Sequence, residues 1–282
     1  MWGGSREDFF RLYEIASKHL KACFPDILVG GYGSCGFYPL TRSDLPESYQ
    51  SFMTWFTDFL QMCRETGAPM DFYSWHIYTN DENELMTHAR YVRETLDAYG
   101  FPKAEAHLNE WNIGTEGTSF TAKHTMEGGS FSAAVLCLLQ NTHYVDKAMY
   151  YCFSLQGRYN GLLDQNDDST SPSWYPFAAF GKLYALGNSA PVQAPGDGLY
   201  AAAAFDAQEA AVLLVNYRQQ DETVTLDAKG LPGGRLARVL RITQEQHLDE
   251  SFACTVSSEA TLRLHLPGHT AVLITFSDPS EH

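Results

Sequence analysis

Across the first two thirds of the chain, hydrophobic positions switch back and forth between a helical period and short unbroken apolar runs. SREDFFRLYEIASKHLKACF spaces Phe9, Leu12, Tyr13, Ala16 and Leu20 along one helix face, and Ser5 with Asp8 stands at the capping-box interval. Pro25 ends that helix, and ILVGG reads as a short buried strand. The couplet then repeats. A helix from about Ser48 to Glu65 precedes the strand DFYSWHIYT. ENELMTHARYVRETLDAYG, closed by Gly100 and Pro102, precedes AEAHLNEWN. A helix over about Ser130 to Asn141 leads to KAMYYCFSL, and WYPFAAFGKLYALG supplies a last helix after a long polar loop. Alternating helices and buried strands imply a parallel sheet with helices outside it, either open and doubly wound or part of a barrel. The tally of roughly four strands is about half of what a (β/α)8 barrel needs.

From about Pro191 the texture changes. LYAAAAF, AAVLLVNY, ETVTLDA, RLARVLRI, ATLRLHL and TAVLITF are short alternating runs punctuated by PGDG, KGLPGG and LPGH. They predict an antiparallel β-sandwich reached through the linker GNSAPVQAPGDG. The expected domains are 1–188 (α/β) and 189–282 (sandwich).

Composition narrows the partners. The chain has 282 residues, 44% of them hydrophobic, enough for a sizeable core. A formal net charge of -15, from 19 Lys and Arg against 34 Asp and Glu, disfavours nucleic acid and anionic membranes, because neutralising phosphates needs a basic face. No apolar run approaches the roughly 20 residues of a membrane span. MWGGSREDFF lacks a basic region followed by an apolar stretch, so no secretion signal and a cytoplasmic location are expected. Cys23, Cys35, Cys63, Cys137, Cys152 and Cys254 are widely spaced and form no CxxC, which predicts free, mostly buried thiols.

GYGSCG, Gly31 to Gly36, spells G-x-G-x-x-G after a strand, but Pro39 and Pro46 stand where a dinucleotide-binding helix would have to open. Its glycines predict instead a strand end and loop passing close to a neighbour. No HExxH or Cys/His cluster marks a metal site, and no G-x-S-x-G marks a nucleophilic serine. Neither metal nor cofactor is expected. His19, His88 and His143 fall in helical stretches and read as surface or helix-end residues. In a parallel α/β barrel, reactive groups gather at the C-terminal strand ends. Here those ends carry Tyr32; His76 and Tyr78; Asn109, Glu110, Trp111 and Asn112; Tyr151 and Phe153. A carboxylate among aromatic faces, amides and an imidazole is suited to a sugar. Trp55 and Phe72 read as core.

In their order these segments resemble the second half of a clan A glycoside hydrolase, most closely the β-xylosidase and α-iduronidase family, family 39. FFRLYEIASKHLKACFPDILVGG resembles the helix and strand that follow the acid/base strand there. DFYSWHIYT resembles its S-x-H-x-Y-T strand, and HLNEWN the strand bearing the nucleophilic glutamate. MYYCFS, RYNGLL and WYPFAAFGKL resemble the last strand, its loop and the closing helix.

The resemblance implies a retaining mechanism with Glu110 as nucleophile, Tyr78 hydrogen-bonding it and holding it ionised, and His76 contacting substrate hydroxyls or their loop. Asn109 and Asn112 would bind the sugar, and Trp111, Tyr151 and Phe153 would form part of its wall. Trp111, and Tyr151 in place of a Trp, depart from the family pattern and leave the sugar open. The family's acid/base lies in an Asn-Glu-Pro segment before the helix that begins here at Ser5, and these residues contain none. Glu116 and Glu127 lack the spacing of a substitute.

The implied fold is the C-terminal half of a (β/α)8 barrel followed by a sandwich. The implied activity is that of a β-xylosidase-like glycosidase with little or no turnover alone. Two uncovered sheet edges predict a homo-oligomer. A non-catalytic carbohydrate-binding or structural protein is the alternative, in which sugar affinity would survive Glu110→Ala.

Overall fold

The computed structural model describes residues 2–114, 122, 124–154, 159, 161–164, 167–231 and 235–279. The chain forms two compact units, Met1–Trp111 with His143–Tyr150, and Asn112–Thr142 with Tyr151–His282.

The first unit is built on a four-stranded sheet, β1 (Gly30–Ser34), β2 (Phe72–Tyr78), β3 (Glu105–Asn112) and β4 (Lys147–Tyr150), in that spatial order. β1 runs parallel to β2, and β3 to β4. Helices α1 (Arg6–Cys23), α2 (Gln50–Thr66) and α3 (Glu82–Ala98) connect or precede the strands. Local sequence explains their ends. Ser5 Oγ accepts the Asp8 N–H, Asp81 accepts those of Asn83 and Glu84, and Gly67 closes α2 in the left-handed region at φ 65°. The aromatic side chains of β2 alternate. Tyr73, Trp75 and Ile77 are fully buried, leaving His76 and Tyr78 half-buried on the other face.

Three expectations need correcting here. The first strand begins at Gly30, so the ILV run lies before it, and Ile27 and Leu28 are exposed. Pairing starts where the backbone can close on its neighbour: a Cβ on Gly30 would stand 2.1 Å from the Phe72 carbonyl oxygen. Just before it, Asp71 Oδ2 accepts the Val29 N–H at 2.8 Å, so a side chain stands in for a ladder bond. On α1, Phe9 and Tyr13 pack against Tyr32 and Phe59, but Leu12 and Leu20 of the same stripe are exposed. His88 is no surface residue: it is fully buried in α3, while His19 is exposed on α1 and His143 lies exposed beyond the next helix.

The second unit is layered. A six-stranded antiparallel sheet contains β5 (Asn188–Ala190), β6 (Leu199–Phe205), β7 (Ala210–Asn216), β9 (Arg235–Ile242), β10 (His247–Val256) and β12 (Thr270–Ser277), ordered β10-β9-β12-β7-β6-β5. One face packs on α4 (Met126–Gln140) and α5 (Trp174–Leu186) through Ala134, Cys137, Leu183, Ala202, Leu213 and Leu273. The other packs on the antiparallel two-stranded sheet of β8 (Glu222–Lys229) and β11 (Glu259–Leu266) through Val212, Leu214, Leu262, Leu264 and Ile274. β6, β7 and β12 are therefore covered on both sides and read as continuous apolar runs, whereas β8 and β11 strictly alternate. α4 starts at Met126, ahead of the expected Ser130, with the Thr125 side chain accepting the Glu127 N–H. Gly128 and Gly129 weaken helix propensity there, but burial of most of the helix outweighs them.

All six cysteines are unpaired. Cys63 and Cys137 are buried, as expected, but Cys23 and Cys35 are exposed.

Candidate active site

Glu110 lies near the end of β3, with its side chain about one third exposed. Tyr78, the last residue of β2, donates its phenol hydrogen to Glu110 Oε2 at 2.6 Å. His76 Nδ1 stands 3.8 Å from the same oxygen. Two residues apart on β2, His76 and Tyr78 share a strand face, which is why one carboxylate reaches both. Burial pushes His76 below its ordinary value, and the charge of Glu110 opposes this without overcoming it, so the ring is neutral near pH 7. Cys35, just beyond β1, also senses Glu110: partial burial and then that negative charge push its thiol up. The arrangement is a partly exposed carboxylate with one strong neutral donor and a neutral imidazole beside the same oxygen.

The remaining residues expected at the site divide. Asn109 is half-buried, and its Oδ1 is buried with no hydrogen-bond partner among the described residues. Trp111 is 1% exposed and meets Tyr150 edge-on at 5.1 Å, so its indole is a core side chain in this arrangement. Asn112 is fully buried and structural in its contacts: Nδ2 donates to the Tyr151 carbonyl at 2.5 Å, and Oδ1 accepts the Ile113 N–H at 2.7 Å. Tyr151 and Phe153, in the second unit, are 41% and 60% exposed, and Tyr151 makes an edge contact with Tyr159. Glu127 opens α4 in the second unit. Glu116, with Arg158 and Asn160 of the RYNGLL segment, lies outside the described residues.

One contact at the site had no counterpart in the sequence patterns. Tyr38 Oη donates to the Tyr78 carbonyl at 3.1 Å and accepts the Tyr78 N–H at 3.0 Å. The only local signal was the glycine spacing of GYGSCG, since a Cβ on Gly36 would press on the Tyr38 ring at 3.0 Å.

A parallel β/α sheet with a carboxylate at a strand end, followed by antiparallel sheets, is similar in fold to the clan A glycoside hydrolases, a class built on a parallel β/α barrel. Residues 39–175 match the glycosyl hydrolase catalytic core family. The chain is 28% identical over 170 residues to a β-xylosidase from Geobacillus stearothermophilus, covering 53% of this chain and 30% of that enzyme. It is 30% identical over 126 residues to a β-xylosidase from Caldicellulosiruptor saccharolyticus, covering 39% and 22% respectively. Among solved structures, a glucosidase from Croceicoccus marinus superposes with a TM-score of 0.78 at 21% identity, and a monomeric β-xylosidase from Caulobacter crescentus CB15 with 0.75 at 18%. These cover 99% and 98% of this chain and 66% of each of those chains. These similarities support the recognition from motif order: the chain is similar to family-39-like clan A glycoside hydrolases, and its fold is that of a partial barrel and a sandwich. It spans about a third or less of the curated relatives it matches and about two thirds of the structural ones.

Proposed function

We propose that the chain carries the nucleophile half of a retaining, β-xylosidase-like active site, with Glu110 as nucleophile and Tyr78 as its hydrogen-bond partner. The observation that supports this best is the 2.6 Å bond from the Tyr78 hydroxyl to Glu110 Oε2 at adjoining strand ends. In such a reaction Glu110 attacks the anomeric carbon as the leaving oxygen departs, and a second carboxylic acid protonates that oxygen and later activates water. His76, neutral and beside the same oxygen, is suited to a substrate hydroxyl. Asn109, next in sequence to Glu110, offers a buried oxygen that has no hydrogen-bond partner among the described residues.

The acid/base belongs, by family resemblance, to the part of the barrel that has no counterpart in these residues. The 282 residues alone are expected to turn over glycosides slowly or not at all, since general acid catalysis typically contributes about 10²- to 10⁴-fold. The substrate class is a xyloside or related glycan. The texture change at the 187–198 linker supports 1–188 as the glycosidase-like domain and 189–282 as the sandwich domain, although α4 and α5 pack on the sandwich sheet. Among the described residues no helix is long and apolar enough to cross a membrane.

The test is intact mass after incubation with a 2-deoxy-2-fluoro xyloside bearing a dinitrophenol leaving group, which departs without protonation. A gain of one fluoroxylosyl unit, mapped to Glu110 and absent in Glu110→Ala, is the expected result. A folded sample that takes no label would sink the nucleophile assignment for this sugar. Sugar affinity surviving Glu110→Ala would then favour a binding protein.

A further inference from the structure

We propose that Tyr38 is a positioning residue for Glu110, acting through the backbone of Tyr78. Its consequence for chemistry rests on the glycosidase reading above, but its geometry does not.

The registered pairs between β1 and β2 end at Ser34 opposite Trp75, while β2 continues to Tyr78. Beyond the last pair, the Tyr38 phenol takes the place of a neighbouring strand: it accepts the Tyr78 N–H at 3.0 Å and donates to the Tyr78 carbonyl at 3.1 Å. Both backbone dipoles of the residue that grips Glu110 are thereby tied to one hydroxyl. Burial raises the Tyr38 phenol to about 12, so this hydroxyl keeps its hydrogen near neutrality.

The Tyr38 ring is itself fixed. The Arg42 guanidinium lies 4.4 Å from its centroid, His88 meets it at 5.4 Å, and Gly36 leaves it room. Arg42 in turn forms a fork with Glu84, Nε to Oε1 at 2.7 Å and Nη2 to Oε2 at 2.6 Å. Glu84 also accepts the hydroxyls of Thr41 at 2.6 Å and of Thr79, the residue after Tyr78, at 2.5 Å. A single buried carboxylate thus grips the β1–α2 loop, through Arg42, and the end of β2, through Thr79. The path Glu84, Arg42, Tyr38, Tyr78, Glu110 is continuous in named contacts.

A purely structural tyrosine would affect stability and nothing at Glu110, so the test reads Glu110 directly. The full chain is labelled with carboxyl-¹³C glutamate, and the Glu110 resonance is assigned with Glu110→Gln. Tyr38→Phe keeps the ring and deletes the hydroxyl. It is expected to move the Glu110 resonance at pH 7 in the same direction as Tyr78→Phe does. It should also lower the rate constant for labelling by the fluoroxyloside about tenfold, with half-saturation unchanged. Arg42→Lys, a milder perturbation that loses the fork, should move the resonance the same way by less, and it serves if Tyr38→Phe unfolds. A Glu110 resonance that stays at its wild-type position in a folded Tyr38→Phe protein overturns the proposal. Absence of label on the wild type would count against the glycosidase reading instead, and the resonance would still decide the role of Tyr38.

Discussion

At the end of β2, Tyr78 lends its backbone to Tyr38 and its hydroxyl to Glu110, while its neighbour His76 stays neutral through burial. The same loop relies on a second neutral imidazole. His88 Nδ1 accepts the Phe37 N–H at 3.2 Å, and Nε2 lies 3.5 Å from Thr41 Oγ1. Burial pushes His88 down to about 4, with the charge of Glu84 opposing and that of Arg42 adding. An unfolded chain binds this proton near pH 6.5, so stability from the neutral ring is complete above that pH. It is lost as pH falls toward about 4, by roughly 3 kcal/mol at most. His88→Asn offers an acceptor to Phe37 without titrating. Calorimetric melting between pH 7 and 4.5 should therefore show a shallower loss of stability in His88→Asn than in the wild type. Parallel curves would assign the loss to carboxylates instead. Nothing in the helical spacing of ENELMTHARYVRETL distinguishes His88 from a surface residue, because its burial depends on the β1–α2 loop folding over it.

Among the elements, caps and periods were legible, and strand offsets were not. Ser5 acts within one turn of its own helix, so local sequence suffices to place it, as the Asp8 N–H on its side chain shows. β1 was displaced toward its glycines by a contact with β2, some forty residues away in sequence, that only the folded sheet creates. β10 escaped notice for the opposite reason: it is an edge strand, mostly exposed, and its polar sequence carries no alternation. The close approach at Gly30 gives a direct check. Gly30→Ala would put a methyl group 2.1 Å from the Phe72 carbonyl, and should cost about 2–4 kcal/mol in urea unfolding followed by circular dichroism. Gly3→Ala, with nothing within 4 Å, should leave the midpoint unchanged. Equal midpoints for the two variants would show that β1 can slide without penalty.

For the whole molecule, the edge strands of the four-stranded sheet raise the question of association. Among the described residues β1 and β4 each have one strand neighbour, and α1 bares Leu12, Ile15 and Leu20 at 51%, 58% and 39% exposure. Met149 on β4 is also exposed. We propose that these surfaces pair copies of the chain. Sedimentation at micromolar concentration should then show a species of at least twice 31.6 kDa, reverting to monomer on Leu12→Lys with Ile15→Lys. A wild-type profile of monomer alone would remove the proposal.

What the sequence by itself determined were features set by neighbouring residues: helix and strand periods, caps, the switch to short β runs after the linker, and the placement of Glu110, His76 and Tyr78 at strand ends. These follow from a strand's alternation and a helix's turn, which a segment carries wherever it packs. Only the tertiary structure decided which faces were covered. It placed Trp111 in the core, tied Asn112 to the backbone of Tyr151, and buried β6, β7 and β12 on both sides. It also set Tyr38 against the end of β2. The physical reason is that burial and hydrogen-bond partnership belong to pairs of segments, and the second member of each pair lies far away along the chain.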